Sequence, residues 1–430
     1  MIRSMVFSKL KQKLNEASAE KPPSKKYLTA LDIGTEVVKV LIAEVKGDEL
    51  EIVGVGRQQQ RLSDMHNGGI ADIAGVVENC EKALNQAEKQ AQVDARGVVI
   101  GIAGELVKGT TTTITYKRPN PEATLELPEL EAIMDKVQNR AFDRARAQLA
   151  WESGKPDLEV RLINSAIVSM HIDGYRVNNP IGFQGRDVAI QLYTAFAPMI
   201  HIGALERTTD ELDLDLVAVA AEPFAVTRTV TPGDANTTFS AILIDVGGGT
   251  TDIAVVNEGG VEGTKMFGIG GRSFTHTIGQ ELNTEFAMAE ELKLRASRGQ
   301  LEGEQNKNVE LALGKTLDVW ESGVAMALEE FDMLDHLPHQ VLLCGGGSSL
   351  TQLVDQLKGA NWADGLPFTK KPNINHIKPS DVIGITDKTG DVNDHTLITA
   401  MGLLRVGLDT QITSGENDSI REKMQRMLRI

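Results

Sequence analysis

The sequence has few aromatics, almost no cysteine and no surplus of positive charge. Phe, Trp and Tyr make up 4% of its 430 residues. Its two cysteines, Cys80 and Cys344, are far apart and fit no metal-ligand spacing. Reduced thiols in the cytoplasm are the simple reading. The eight histidines form no cluster in the sequence, and no Ser-His-Asp spacing is found. The formal charge of −16 opposes nucleic-acid binding, which needs a basic surface. No apolar run approaches the roughly 20 residues of a membrane-spanning helix. The N-terminus lacks the apolar core and cleavage site of a signal peptide.

What is present is an acidic body with basic ends. Residues 1–26 carry seven Lys/Arg against two acids, net +5, and residues 419–430 carry four against one, net +3. Such ends suggest a partner of their own. The length allows roughly two to four domains with ample core.

The chain is organised around Ile242–Val256, ILIDVGGGTTDIAVV. An apolar run ends in Asp245. Gly247, Gly248, Gly249, Thr250 and Thr251 follow, and a second apolar run leaves the loop. Glycines let backbone N–H groups close on an anion. An acid at the strand end suits magnesium held mostly through water. The alternative is a Gly-rich hairpin turn without a ligand. Tyr27–Val45 repeats the design, with Asp32, Gly34 and Thr35 in the loop, the two acids being 213 positions apart. A third strand is expected after each hairpin, at 51–55 and 263–267. A matched pair of strand–turn–strand units points to an internal duplication.

Apolar spacing predicts helices over 73–90, 130–150, 202–213, 273–286, 289–297, 309–334, 350–357 and 397–407. The stretch 104–180 changes character and reads as a small α/β insertion. The strand 187–196 returns to the main body. Gly345, Gly346, Gly347 and Ser348 form a third loop, joining a strand to a helix so that N–H groups can face a nucleotide. Ser419–Ile430 is amphipathic: Ile420, Met424, Met427 and Leu428 share one side, with Arg421 and Lys423 flanking.

This order of three loops resembles the actin-like ATPase superfamily. The resemblance implies an α/β, ribonuclease H-like duplicated two-domain fold closing on ATP and Mg2+. Asp32 and Asp245 would flank the metal and its waters. Gly34, Thr35 and Gly247 through Thr251 would hold phosphates, with Gly271 nearby. Glu290 and Lys293 match a stretch that contacts ribose, and Gly345 through Ser348 match the adenosine loop. Glu222 falls where an acid orients the attacking water. Its alternative is a polar strand end, and that of Glu290 and Lys293 is a solvated helix face with an i,i+3 pair.

Within the superfamily the chain resembles the FtsA family of bacterial division proteins. The residues that carry this are Gly68-Gly69-Ile70, the 104–180 insertion, Asn179 to Gly182, Ala289 to Lys293 and Thr399 to Leu404. The implied organisation is an extension 1–26; domain 1A from 27–103 and 181–221; an SHS2-type subdomain 1C over 104–180; domain 2A from 222–271 and 341–397; and subdomain 2B over 272–340. A closing helix 398–410, a linker 411–418 and a membrane-targeting helix 419–430 complete it. The implied function is to tether FtsZ polymers to the inner face of the membrane at the septum. Filament formation, FtsZ-tail binding by 272–340 and contacts of other division proteins with the insertion go with it. Anionic lipid would meet 419–430; the alternative is docking on the body or a partner. Residues 1–18 depart from the family pattern and read equally as a second anchor, a partner-binding segment or a tail. Glu36 beside the first loop adds negative charge near phosphate, which implies slow ATP turnover or binding alone. Two other readings stay open: a PilM-like scaffold of type IV pilus assembly, and a small-molecule kinase.

Overall fold

The computed structural model describes residues 26–104, 107–154, 159–231, 238–359 and 361–413. The extension 1–25 and the segment carrying Ile420, Arg421, Lys423, Met424, Met427 and Leu428 lie outside the described residues.

The body opens with an antiparallel meander, β1 (Tyr27–Ile33), β2 (Val37–Lys46) and β3 (Glu49–Gln59). Every residue of β1 after Tyr27 is buried, as a strand covered on both faces requires. One cover is α1 (Ile73–Ala91), started by Asp72, whose carboxylate accepts from the N–H groups of Ala74 and Gly75. Cys80 faces the sheet from this helix, and burial pushes its thiol up to about 12, so it packs rather than reacts. β4 (Gly97–Ile102) then lies parallel to β1.

The inserted unit comprises β5 (Lys108–Lys117), α2 (Leu127–Ser153), β6 (Val160–Ile172) and β7 (Asp187–Pro198). β7 pairs along its length with both β5 and β6. The unit therefore runs through Pro198 rather than ending at 180, because this strand is the middle of its sheet. α3 (Met199–Glu211), β8 (Asp215–Ala221) and α4 (Glu222–Val230) return to the first half.

The second half repeats the first with β9 (Ala241–Val246), β10 (Thr251–Asn257) and β11 (Gly260–Phe267). Three helices follow, α5 (Gly271–Leu282), α6 (Phe286–Ser297) and α7 (Gly303–Glu329). Then come β12 (Gln340–Cys344), α8 (Thr351–Lys358), β13 (Asn373–His376), β14 (Ile385–Asp387) and α9 (Ile398–Thr413). The first sheet has the order β8-β4-β1-β2-β3-β14, and the second begins β13-β12-β9-β10-β11. In each, a meander is flanked by two strands parallel to its first member, which is the duplication read from the loops. The second sheet continues through β5-β7-β6 of the insertion, across a seam of two residue pairs, Gly263↔Thr110 and Thr264↔Gly109.

Two expected boundaries shift. The sequence places 341–397 with the second half, whereas β14 pairs with β3, and Ile377, Val382, Ile385 and Leu397 pack in the first core. The closing helix also runs to Thr413, into the expected linker. It is apolar on nearly all sides and lies buried between the first sheet and α4.

Candidate functional site

The three glycine loops meet in one cleft between the halves, around a cavity of about 200 Å3. Its wall includes Asp32, Gly34, Thr35, Glu222, Asp245, Gly247, Gly248, Thr250, Gly271, Glu290, Lys293, Gly345, Gly346 and Gly347.

Strand ends place the acids. Asp32 is paired in register with Lys39 on β2, and Asp245 with Asp252 on β10. The Lys39 ammonium donates to Asp32 Oδ2 at 2.8 Å. Burial pulls the Lys39 ammonium down, but the charge and hydrogen bond of Asp32 and the charges of Asp245 and Glu222 outweigh it and hold it above its ordinary value. Thr399 on α9 donates to Asp245 Oδ2. Burial still leaves the Asp245 carboxyl above the usual range. Burial and then the charge of Asp245 push Asp252 well up. Burial and the charges of Asp32, Asp252 and Asp245 do the same to Glu222, which opens α4 at the cavity wall.

The glycine loops touch one another. A Cβ on Gly248 would stand 2.8 Å from that of Glu36, so the two hairpins meet at van der Waals distance. Gly345 has φ +80°, and a Cβ there would stand 2.0 Å from Asp245 Oδ1. The third loop is thus laid directly against the second acid.

Glu290 and Lys293 do not form a solvated face. Lys293 is buried, and its ammonium reaches Glu290 at 2.7 Å, Thr275 Oγ1 at 2.9 Å and the Gly271 carbonyl at 3.0 Å. Three expected residues face away from the cavity. Thr251 accepts from Trp320 Nε1 at 2.8 Å and donates to the Ile269 carbonyl at 2.7 Å, because alternation along β10 turns it into the second core. Gly249 backs onto the Thr35 side chain. Ser348 is fully buried and donates to the Gly345 carbonyl at 2.8 Å, closing the loop while Ser349 and Leu350 face the cavity.

Sequence reasoning missed Lys39, Asp252, Arg272 and Thr399, all of which line the cavity. For the first two a signal existed: each stands seven positions after its loop acid. Glu36 is not a bare charge beside the phosphate loop, since its carboxylate accepts from Arg272 Nε at 2.7 Å. Two of the histidines, His376 and His395, stack behind the third loop with ring centroids 4.0 Å apart.

A duplicated sheet plan with one Asp-Gly hairpin from each half facing a common cleft defines the actin-like ATPase fold, here with an SHS2-type insertion. A family model described as "Cell division protein FtsA" matches residues 242–402. Over that stretch and beyond it, the chain is similar to cell division proteins FtsA. A cell division protein FtsA of Pseudomonas aeruginosa is 26% identical over 278 residues, spanning 63% of this chain and 61% of that protein. One of Enterococcus hirae is 24% identical over 422 residues, spanning 90% of each. Among solved structures, a PilM-PilN type IV pilus biogenesis complex superposes with a TM-score of 0.65 at 17% identity, covering 89% of this chain and 98% of that one. That likeness carries the fold alone.

Proposed function

We propose that the cleft binds ATP with Mg2+ and that the nucleotide-loaded chain assembles into filaments that tether FtsZ polymers to the membrane during cell division. The observation that carries the nucleotide reading is the convergence of Asp32, Asp245 and the three glycine loops on one cavity. The residues present suit a magnesium ion. Asp252 Oδ1 is buried with no hydrogen-bond partner among the described residues, and the carboxyl groups of Asp32, Glu222, Asp245 and Asp252 share the cavity with Lys39. That suits a cation held by one or two carboxylates, water and phosphate. Asp32 and Asp245 would hold it, and when bound it would neutralise phosphate charge. Lys39 would donate to phosphate oxygens, and the N–H groups of the first two loops would orient them. Gly345 to Gly347 would cover the base. Glu222 would position water. Burial and the neighbouring carboxylates hold its carboxyl well above the usual range.

The partner surface we assign lies on 272–340. Leu311, Val319 and Met326 are each more than half exposed on α7 and share one face at helical spacing. An FtsZ tail would lay apolar anchors along this stripe. No described helix is long and apolar enough to cross a membrane. Attachment would fall to 419–430, whose apolar side and cations suit an anionic interface, with avidity from the filament.

Co-sedimentation with FtsZ and anionic liposomes, with and without ATP, tests the reading. Pelleting with both, lost on deleting 419–430 or on Asp245→Asn, is expected. ATP-independent pelleting, or FtsZ failing to follow, would overturn it. Capture of a pilus-assembly peptide in place of FtsZ would favour the PilM-like scaffold.

A further inference from the structure

We infer that Arg272 is a positioning residue that latches the two phosphate hairpins together across the cleft and sets the rate at which nucleotide leaves. The inference rests on the nucleotide reading of the cleft for its effect on exchange, but the latch itself is a feature of the chain.

Arg272 is the second residue of α5 and is fastened on both sides. Its backbone N–H donates to the Gly248 carbonyl at 2.8 Å, next to the Gly271 N–H on the Gly247 carbonyl at 2.9 Å. These bonds strap the start of α5 to the second hairpin. The side chain then crosses to the first half. Nε meets Glu36 Oε2 at 2.7 Å, and an Nη2 hydrogen meets the Thr35 carbonyl at 2.6 Å. Nη1 reaches the carbonyls of Met65 at 3.2 Å and Leu62 at 3.3 Å. The guanidinium thus joins the first phosphate loop to the turn that leads to Gly68, itself on the cavity wall.

Two features separate this pair from an ordinary surface ion pair. The Arg272 side chain is 12% exposed and that of Glu36 27%, so water screens the contact poorly. Glu36 is also held from its other side, its Oε1 accepting from Gln59 Nε2 at 3.2 Å. A planar fork with several donors suits this role, and the ammonium of lysine does not. An opening that separates Gly248 from Glu36 must break all four side-chain bonds. Nucleotide bound between the hairpins would leave only after that step.

The full-length protein, loaded with a fluorescent ATP analogue and chased with unlabelled ATP, gives the release rate. Arg272→Ala and Glu36→Gln should each speed release about tenfold or more, since loss of one partner of a partly buried charged pair falls mainly on dissociation. The double variant should be little faster than either single one. Arg272→Lys should restore only part of the effect. Hydrogen exchange on the nucleotide-free protein supplies a second reading: the amides around 34–36 and 62–68 should lose protection in both single variants while α1 keeps its own. Release within twofold of the parent, or unchanged exchange in both segments, overturns the latch. Absence of analogue binding to the parent, with protection still lost in the variants, overturns the nucleotide reading and leaves the latch standing.

Discussion

Lys39 and Asp252 occupy the same place in the two halves: each stands on the second strand of its hairpin, in register opposite the loop acid, and each lines the cleft. The duplication therefore gives a symmetric frame with opposite charges. The first half presents an ion pair, and the second presents two carboxyl groups with an unpartnered oxygen. The two halves therefore differ in charge at equivalent positions of the same cleft.

Replacing Lys39 by Met should weaken ATP binding by roughly tenfold to a hundredfold, as expected for loss of about 1.5–3 kcal/mol from a hydrogen bond to a charged group. Calorimetric titration with ATP-Mg checks this. Unchanged affinity would remove Lys39 from the phosphate site.

The buried acids make stability depend on pH in a defined direction. Burial and neighbouring charge hold Glu222 and Asp252 well above their ordinary ranges. Above those ranges the folded chain binds more protons than the unfolded one, so these groups weaken the fold as pH rises. Glu222→Gln should therefore be more stable than the parent at about pH 8, with the gap closing toward about pH 4.5. Thermal melts in the presence of a chelator provide the comparison, and parallel curves would contradict it.

At Gly345 an alanine meets both a positive φ and the Asp245 carboxylate. A positive φ combined with a ψ of 157° is a conformation almost confined to glycine and costs about 1–3 kcal/mol for a residue with a Cβ. Gly345→Ala is expected to lose at least that in denaturant unfolding, and its ATP affinity should fall with it. Gly346→Ala serves as the control, because a Cβ there meets nothing within 4 Å.

On the outer face of α7, Leu311→Asp combined with Met326→Asp should leave the fold intact, both side chains being more than half exposed. Affinity for an FtsZ tail peptide should drop about tenfold or more if the stripe is the anchor surface. Fluorescence polarisation with the labelled peptide would measure it, and an unchanged constant would move the partner site elsewhere.

Local patterns carried most of what was legible in the sequence. Asp32, Asp245 and the glycine loops were readable because each motif is contiguous and flanked by apolar strands. The orientation of Thr251 and Ser348 was not, since it depends on which way a strand alternates after a tight loop and on a bond closed within the loop. The contact of Glu36 with Arg272 joins residues 236 positions apart, and nothing local announces it. The membership of β7 was hidden for the same reason. A strand's alternation tells which of its faces is apolar, but not which neighbours it pairs with.

The two-pair seam between β11 and β5 has a mechanical consequence. By sequence the insertion belongs to the first half, yet its sheet is hydrogen-bonded edge to edge with that of the second. It is tied to both halves, and the seam is reinforced where the Tyr193 hydroxyl lies 3.3 Å from Thr264 Oγ1. Rotation of one half against the other must either shear these few bonds or carry the insertion with the second sheet. Movement of the second sheet is therefore passed to the insertion through the same seam.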